Sequence, residues 1–172
     1  MSPGIVQEFP ASPTPRAALV LGKGLSAGVR TLSQAVIVYG LSLLIGVKLD
    51  WRPLALLNVV IIVILAATLF STFSLIIACI VKTRERFMGV GQVLTMPLFF
   101  ASNAIYPTSI MPGWLQTISH LNPLTYVVDA LRTFMLAGSA STFSLSRDYT
   151  VILLTTTILV FIGARLYPRL AS

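Results

Sequence analysis

The chain has 172 residues, 56% of them hydrophobic and only 10% charged, with a net charge of +7 and a mean hydropathy of +0.90. A soluble domain carries roughly 25% charged residues, so this composition excludes an ordinary soluble fold and points to an integral membrane protein. The surplus of Lys and Arg flanks apolar runs and forms no stripe interleaved with exposed aromatics, which reads as a topology signal and excludes nucleic acid as a partner.

Residues 1–30 lack the basic leader of a signal peptide and read as a cytoplasmic or interfacial segment. Within it "LGKGLSAG", around Gly22 and Lys23, lacks the glycine spacing of a phosphate loop, so the chain is expected not to bind or hydrolyse ATP. Four spans follow, at about 31–47, 54–81, 87–106 and 149–167. The first is near the lower length limit, and Gln34 at its start faces other helices or marks a helix that begins earlier. The second carries no charge, and its Asn58, Thr68, Ser71, Thr72 and Ser74 are read as interhelical hydrogen-bonding groups. Cys79, the single cysteine, is expected to be a small buried residue.

The third span holds Pro97, which removes a helix hydrogen bond and predicts a kink. Its Gln92, Ser102 and Asn103 call for partners inside a bundle, and Gly89 and Gly91 for close helix packing. Strict in–out alternation is missing from all four runs, which excludes a β-barrel. The fold class is therefore all-α: a polytopic bundle forming one membrane domain.

Between the third and fourth spans lie residues 107–148, long for a plain loop. Trp114, Leu115, Ile118 and Leu121 share one helical face. Asn122 can cap a second helix whose first residue is Pro123. In that helix Leu124, Val127, Val128, Leu131 and Met135 form one stripe and Thr125, Asp129, Arg132 and Thr133 the other. At roughly 20 Å it cannot span, so two short re-entrant or interfacial helices are predicted, with Asp129 and Arg132 paired at spacing three. The hairpin merely joins two spans, or it is a lid over a substrate path.

With four spans both termini share one side. That side carries eight basic residues (Arg16, Lys23, Arg30, Lys82, Arg84, Arg86, Arg165 and Arg169) against four (Lys48, Arg52, Arg132 and Arg147) on the other. Basic residues concentrate in the cytoplasm, so the termini and the "KTRER" loop are expected there. His120 is the single histidine, expected at the solvent or in a cap; no catalytic residue, cofactor site or metal site is expected. The absence of mid-span charge argues against a proton-coupled transporter.

Residues 81–132, "VKTRERFMGVGQVLTMPLFFASNAIYPTSIMPGWLQTISHLNPLTYVVDALR", resemble the signature region of permease subunits of type-2 ABC exporters, the daunorubicin-resistance and polysaccharide-export kind. Upstream, "SPTPRAALVLGKGLSAGVRTLSQ" is similar, more weakly, to the segment before that family's third span. The resemblance implies a six-span permease of which this chain holds the last four spans, roughly two thirds, lacking the first two. It implies an ABC ATPase subunit as partner, touched by a coupling segment that includes Arg16, Gly22, Lys23 and Arg30. It also implies an external gate helix with Asn122, Pro123, Tyr126, Asp129 and Arg132. The chain would pair as a homodimer or with another permease chain, in contact with membrane lipid, as a multi-pass protein of a prokaryotic plasma membrane. Efflux of a hydrophobic or amphipathic drug or a lipid-linked saccharide follows from this likeness, with aromatics such as Phe99, Phe100, Tyr106 and Trp114 suited to such cargo. A truncated, non-transporting membrane scaffold is the alternative.

Overall fold

The computed structural model describes residues 16–81 and 83–166. Six α-helices follow one another: α1 (Arg16–Leu44), α2 (Pro53–Val81), α3 (Arg84–Phe100), α4 (Gly113–Leu121), α5 (Pro123–Met135) and α6 (Leu145–Leu166). A single 3-10 turn, Thr108–Ile110, lies between α3 and α4. Among the described residues, extended pairing is limited to an isolated bridge between Leu49 and Leu136.

The first helix is longer at its start than the apolar run of 31–47. It begins at Arg16, runs through residue 30 without interruption, and ends at Leu44. Its end is set by Gly46 in the left-handed region (φ +80°). Val47 N–H reaches the Ser42 carbonyl at 3.0 Å and Gly46 N–H that of Leu43 at 3.0 Å. This paired closure of the last carbonyls needs a residue without Cβ cost at that point.

Helices α1 and α2 are antiparallel, α2 and α6 parallel, and small side chains bring them together. A Cβ placed on Gly24 would sit 2.7 Å from the Thr68 methyl, and one on Gly28 3.4 Å from Ile64. Gly163 of α6 approaches the Thr72 methyl in the same way, at 3.1 Å. Between apolar helices surrounded by lipid, such close backbone approach is the main source of association. The hydroxyls of Thr68, Ser71 and Thr72 do not bridge helices, contrary to expectation; they donate back to the carbonyls of Ile64, Thr68 and Thr68 in their own helix. That satisfies each hydroxyl locally and leaves its methyl to pack.

Val20, Leu75 and Cys79 are buried together against Val160 and Leu166. The start of α1 and the ends of α2 and α6 therefore share one end of the bundle. The connectors 45–52 and 137–144 meet at the other end, where Asp50 N–H bonds the Met135 carbonyl at 2.9 Å and Ala137 N–H that of Lys48 at 3.0 Å. Lys23, Arg86 and Arg165 lie toward the first end and Lys48, Arg52 and Arg147 toward the other, whereas Arg30 sits midway along α1, inside a run expected to be free of charge; Lys82, Arg169 and Tyr167 lie outside the described residues.

Among the described residues three helices are long and apolar enough to cross a membrane: Val20–Leu44, Pro53–Val81 and Leu145–Leu166. The remaining expected span, the third in chain order at 87–106, is shorter. Helix α3 has 17 residues, contains Pro97 and stops at Phe100. Ser102 ends it by donating to the Phe99 carbonyl at 2.7 Å, and the chain then turns. Gln92 is exposed, and neither Gly89 nor Gly91 has a neighbour within 4 Å of a built Cβ, so the close packing expected there is not found.

Gly24→Val should separate α1 from α2 at a cost of about 1–3 kcal/mol, read as a lower unfolding midpoint in detergent. Gly22→Ala, with nothing within 4 Å of its Cβ, should be neutral or stabilising by up to about 1 kcal/mol.

Candidate functional site

The segment between α3 and α6 folds into a helical hairpin that enters the bundle from the connector end. Its elbow is built by short polar side chains. Asn122 caps α5 by accepting from Leu124 N–H at 3.0 Å, with Pro123 in the first turn as the sequence predicts. The other half of the same amide donates to the Leu98 carbonyl of α3 at 2.6 Å. Ser119 and Thr125 hydroxyls meet at 3.2 Å across the elbow, and Tyr126 Oη donates to the His120 carbonyl at 2.8 Å. A helix end leaves carbonyls and amides unpaired; here both helices of the hairpin satisfy each other.

Helix α5 lies along α2. At its start, Leu124 lines an apolar cavity of about 320 Å³ with Phe70, Phe73, Phe87 and Phe99. At its finish, Phe134 and Leu136 stand beside Leu54 and Ala55. Along α2, positions 54 to 70 span about 24 Å at 1.5 Å per residue. The hairpin thus penetrates well past one end of the bundle, as a re-entrant element does. Helix α4 remains at the periphery, where Trp114 (68% exposed) and Ile118 share an open apolar groove with Leu94, Pro97 and Phe100 of α3.

The polar stripe of α5 faces inward, contrary to the usual amphipathic arrangement. Thr125 and Asp129 are buried with Tyr126, Val127 and Ala130, around Ile62 of α2 and Ile152 of α6. Asp129 is 1% exposed. It does not pair with Arg132. Its Oδ2 accepts from Thr142 N–H at 2.8 Å, Ser141 Oγ at 2.9 Å and Phe143 N–H at 3.2 Å. Arg132 turns the other way and donates to the Asn103 carbonyl at 3.0 Å. Among the described residues the one ion pair is Arg52 with Asp50, at 3.9 Å on the connector. The i, i+3 spacing allowed the Asp129–Arg132 pair, but three converging donors from one loop satisfy a buried carboxylate better than one flexible cation.

Sequence reasoning missed the second carboxylate. Asp148, in the first turn of α6, is fully buried, and its Oδ2 lies 3.1 Å from the same Ser141 hydroxyl. By position it resembles a common acidic helix start, and only the loop 137–144 brings it to Asp129. Its neighbour Tyr149 donates to Asn58 Oδ1 of α2 at 2.7 Å, the one interhelical bond among the polar groups named in that span. His120 is exposed, its ring edge-on to Phe143 at 5.2 Å. Gly22, Lys23 and Arg30 lie exposed along α1, away from this site, and the Arg16 side chain is outside the described residues. Among the described residues no cluster of three or more metal-ligating side chains occurs.

Helices long and apolar enough to cross a membrane, with a short helical hairpin stapled among them, define an all-α membrane bundle. The chain belongs to the ABC-2 type transporter family, whose pattern matches residues 2–136, α1 through α5. It is 26% identical over 132 residues to the daunorubicin resistance ABC transporter permease protein DrrB1 of Streptomyces coeruleorubidus, covering 77% of this chain and 47% of that one. Inner membrane transport permease YadH of Escherichia coli is 24% identical over 127 residues, 74% of this chain and 48% of the relative. The ycf38 protein of Cyanophora paradoxa is 43% identical over 76 residues, 44% and 26% of the two chains. The chain thus spans about half the length, or less, of these relatives. No solved structure matches it significantly.

Asp129→Ala should cost about 3 kcal/mol, since it removes the shared acceptor of the Ser141 hydroxyl and the Thr142 N–H and strands the buried Phe143 N–H. A double-mutant cycle between Asp129 and Arg132 should show coupling below about 0.5 kcal/mol, as for residues that share no partner. Asn122→Ala should cost about 1 kcal/mol for the cap, and more for the lost bond to Leu98, measured by thermal unfolding.

Proposed function

We propose that this chain is a membrane component of an ATP-driven exporter, supplying part of the translocation path while an ABC ATPase subunit supplies the energy. The observation that carries the reading is the family match over 2–136 combined with the re-entrant hairpin. In this scheme the end of the bundle holding Arg16, Lys23 and Arg165 is cytoplasmic, in a prokaryotic plasma membrane, and the connectors are outside. Its support is the basic excess at that end.

Helix α1 suits the transmission of force. It is one continuous rod from Arg16 to Leu44 and is locked to α2 at Gly24 and Gly28. Movement of an ATPase against Arg16, Gly22, Lys23 and Arg30 would shift both helices together. Lys23 and Arg30 are exposed and free to meet acidic groups on that partner. The hairpin, through Asn122, Pro123, Tyr126, Asp129 and Arg132, is the external gate. Cargo follows α3, which presents Phe99 and Phe100 to its surroundings and ends beyond Pro97. Those aromatics and the apolar cavities beside them suit a hydrophobic or amphipathic molecule, such as a drug or a lipid-linked saccharide. A second copy, or another permease chain, closes the path on its open side, with lipid around the rest.

The test is ATP-dependent efflux from vesicles containing the chain and the ABC ATPase of its gene neighbourhood. Lys23→Glu should lower efflux several-fold while leaving insertion intact. Efflux unchanged when the ATPase is omitted would remove the coupling claim, and insertion with no efflux under any condition would leave a membrane scaffold. In a Cys79→Ala background, Ala140→Cys should react with an impermeant thiol reagent from outside intact cells and Thr83→Cys should not; the reverse pattern overturns the orientation.

A further inference from the structure

We infer that Asp129 and Asp148 hold a single proton between them, with Asp148 as the neutral acid, and that this proton latches the hairpin to α6. The inference rests on counting hydrogens. Ser141 Oγ lies 2.9 Å from Asp129 Oδ2 and 3.1 Å from Asp148 Oδ2. A hydroxyl owns one hydrogen and two lone pairs. Given to Asp129, that hydrogen leaves a lone pair facing Asp148, and the second contact is attractive only if the Asp148 oxygen is itself an O–H. The chain then reads Asp148 O–H to Ser141 O–H to Asp129 carboxylate.

The assignment of which aspartate is ionised follows from the remaining donors. Asp129 Oδ2 also receives two backbone N–H groups, the surroundings of an anion. Asp148 receives none of these, is fully buried, and among the described residues its Oδ1 has no hydrogen-bond partner. A bare buried carboxylate oxygen is costly, whereas the carbonyl oxygen of a neutral acid is a weaker acceptor and loses little. Two adjacent buried carboxylates cannot readily both ionise in any case.

The charged and titratable groups around the pair leave the arrangement intact. Helix α5 contributes Arg132, committed to the Asn103 carbonyl, and α6 contributes exposed Arg147 and Tyr149, the latter bound to Asn58. Helix α4 offers His120 across the Phe143 ring, and α1 offers Tyr39, whose ring lies against Trp51. Asp50 and Arg52 engage each other on the connector. Helix α2 has no ionisable side chain except Cys79, at its far end.

The native state therefore binds one proton more than the unfolded chain above the ordinary aspartate range of about 3.9. Stability should fall as pH rises above that range and the shared proton is lost. The proton assignment stands without the permease reading; its consequence, that alkaline conditions at the connector end loosen the gate, rests on it.

The experiment uses the full chain in lipid nanodiscs. Infrared spectra at neutral pH should show a buried carboxylic-acid C=O band, sensitive to D2O, that titrates away at high pH and is missing in Asp148→Asn. The unfolding midpoint of the wild type should drop by several degrees between about pH 5 and pH 9, and that of Asp148→Asn should stay level, because its amide can donate to Ser141 as the acid does. Asp129→Asn should be the more damaging of the two. The proposal is overturned by an absent acid band, by a flat wild-type pH profile, or by Asp148→Asn failing to fold. Stabilisation by Na⁺ or Ca²⁺ without an acid band would assign the pair to a cation instead. None of these outcomes bears on ATP-driven efflux, so the two readings fail separately.

Discussion

A carboxylate buried among apolar side chains must be met by donors, and in this chain that requirement organises the whole connector end. Asp129 sits in the middle of α5 and is 1% exposed, on the helix whose Tyr126, Val127 and Ala130 pack with Ile62 and Ile152. Leaving it unpaired there would cost several kcal/mol. The loop 137–144 answers by aiming two backbone amides and a hydroxyl at one oxygen. Once the loop is held in this way, the start of α6 is fixed, Asp148 and Tyr149 are carried to their places, and Tyr149 reaches Asn58 of α2. One acid thereby sets the relation of the hairpin to two long helices.

The rest of the bundle is held by a different kind of force. At the far end no buried charge occurs among the described residues, and the helices meet through absent side chains: Gly24 and Gly28 against α2, Gly163 against Thr72. Contacts of that kind give rigid, close pairs. Helix α3 has neither device. Its two glycines face open space, it touches the hairpin through the Asn122–Leu98 bond, and Gln92, Val93 and Met96 point away from the chain. The molecule thus combines a firmly joined α1–α2–α6 unit with a stapled hairpin and a third helix whose outer face awaits other material.

Residue types in the sequence declare some of this and hide the remainder. The cap at Asn122, the first-turn Pro123 and both short helices were legible, because capping chemistry acts over two or three residues and needs no tertiary partner. The apolar runs likewise announce an all-α membrane bundle. Span limits were less legible, since hydropathy reports where a helix is greasy and not where it starts: α1 begins at Arg16 because nothing in 16–30 breaks a helix. The Asp129–Arg132 pair was misread for a related reason. Spacing along one helix shows which groups can meet, but the partner that wins is chosen by a loop about a dozen residues away. Asp148 and Ser141 carried no local signal at all; their meaning exists only once the loop closes.

A hairpin built this way can move without unfolding, which matters for any gating role. Its internal bonds, Ser119 to Thr125, Tyr126 to the His120 carbonyl and the Asn122 cap, all lie within the hairpin. Displacing the element as a unit leaves them whole. What ties it to its surroundings is the packing of Tyr126, Val127 and Ala130 with Ile62 and Ile152 and a set of polar links: Asn122 to Leu98, Arg132 to Asn103, the backbone bonds beside Leu136, and Asp129 with its loop donors and, through Ser141, Asp148. Each neutral bond contributes about 1 kcal/mol net and the charged ones about 1.5–3, so together with the buried packing their sum approaches the stability of a domain, and the hairpin moves only if these ties are exchanged for others. Among these ties the acid pair is the one whose strength depends on a shared proton, so it is the tie that a change of pH alters.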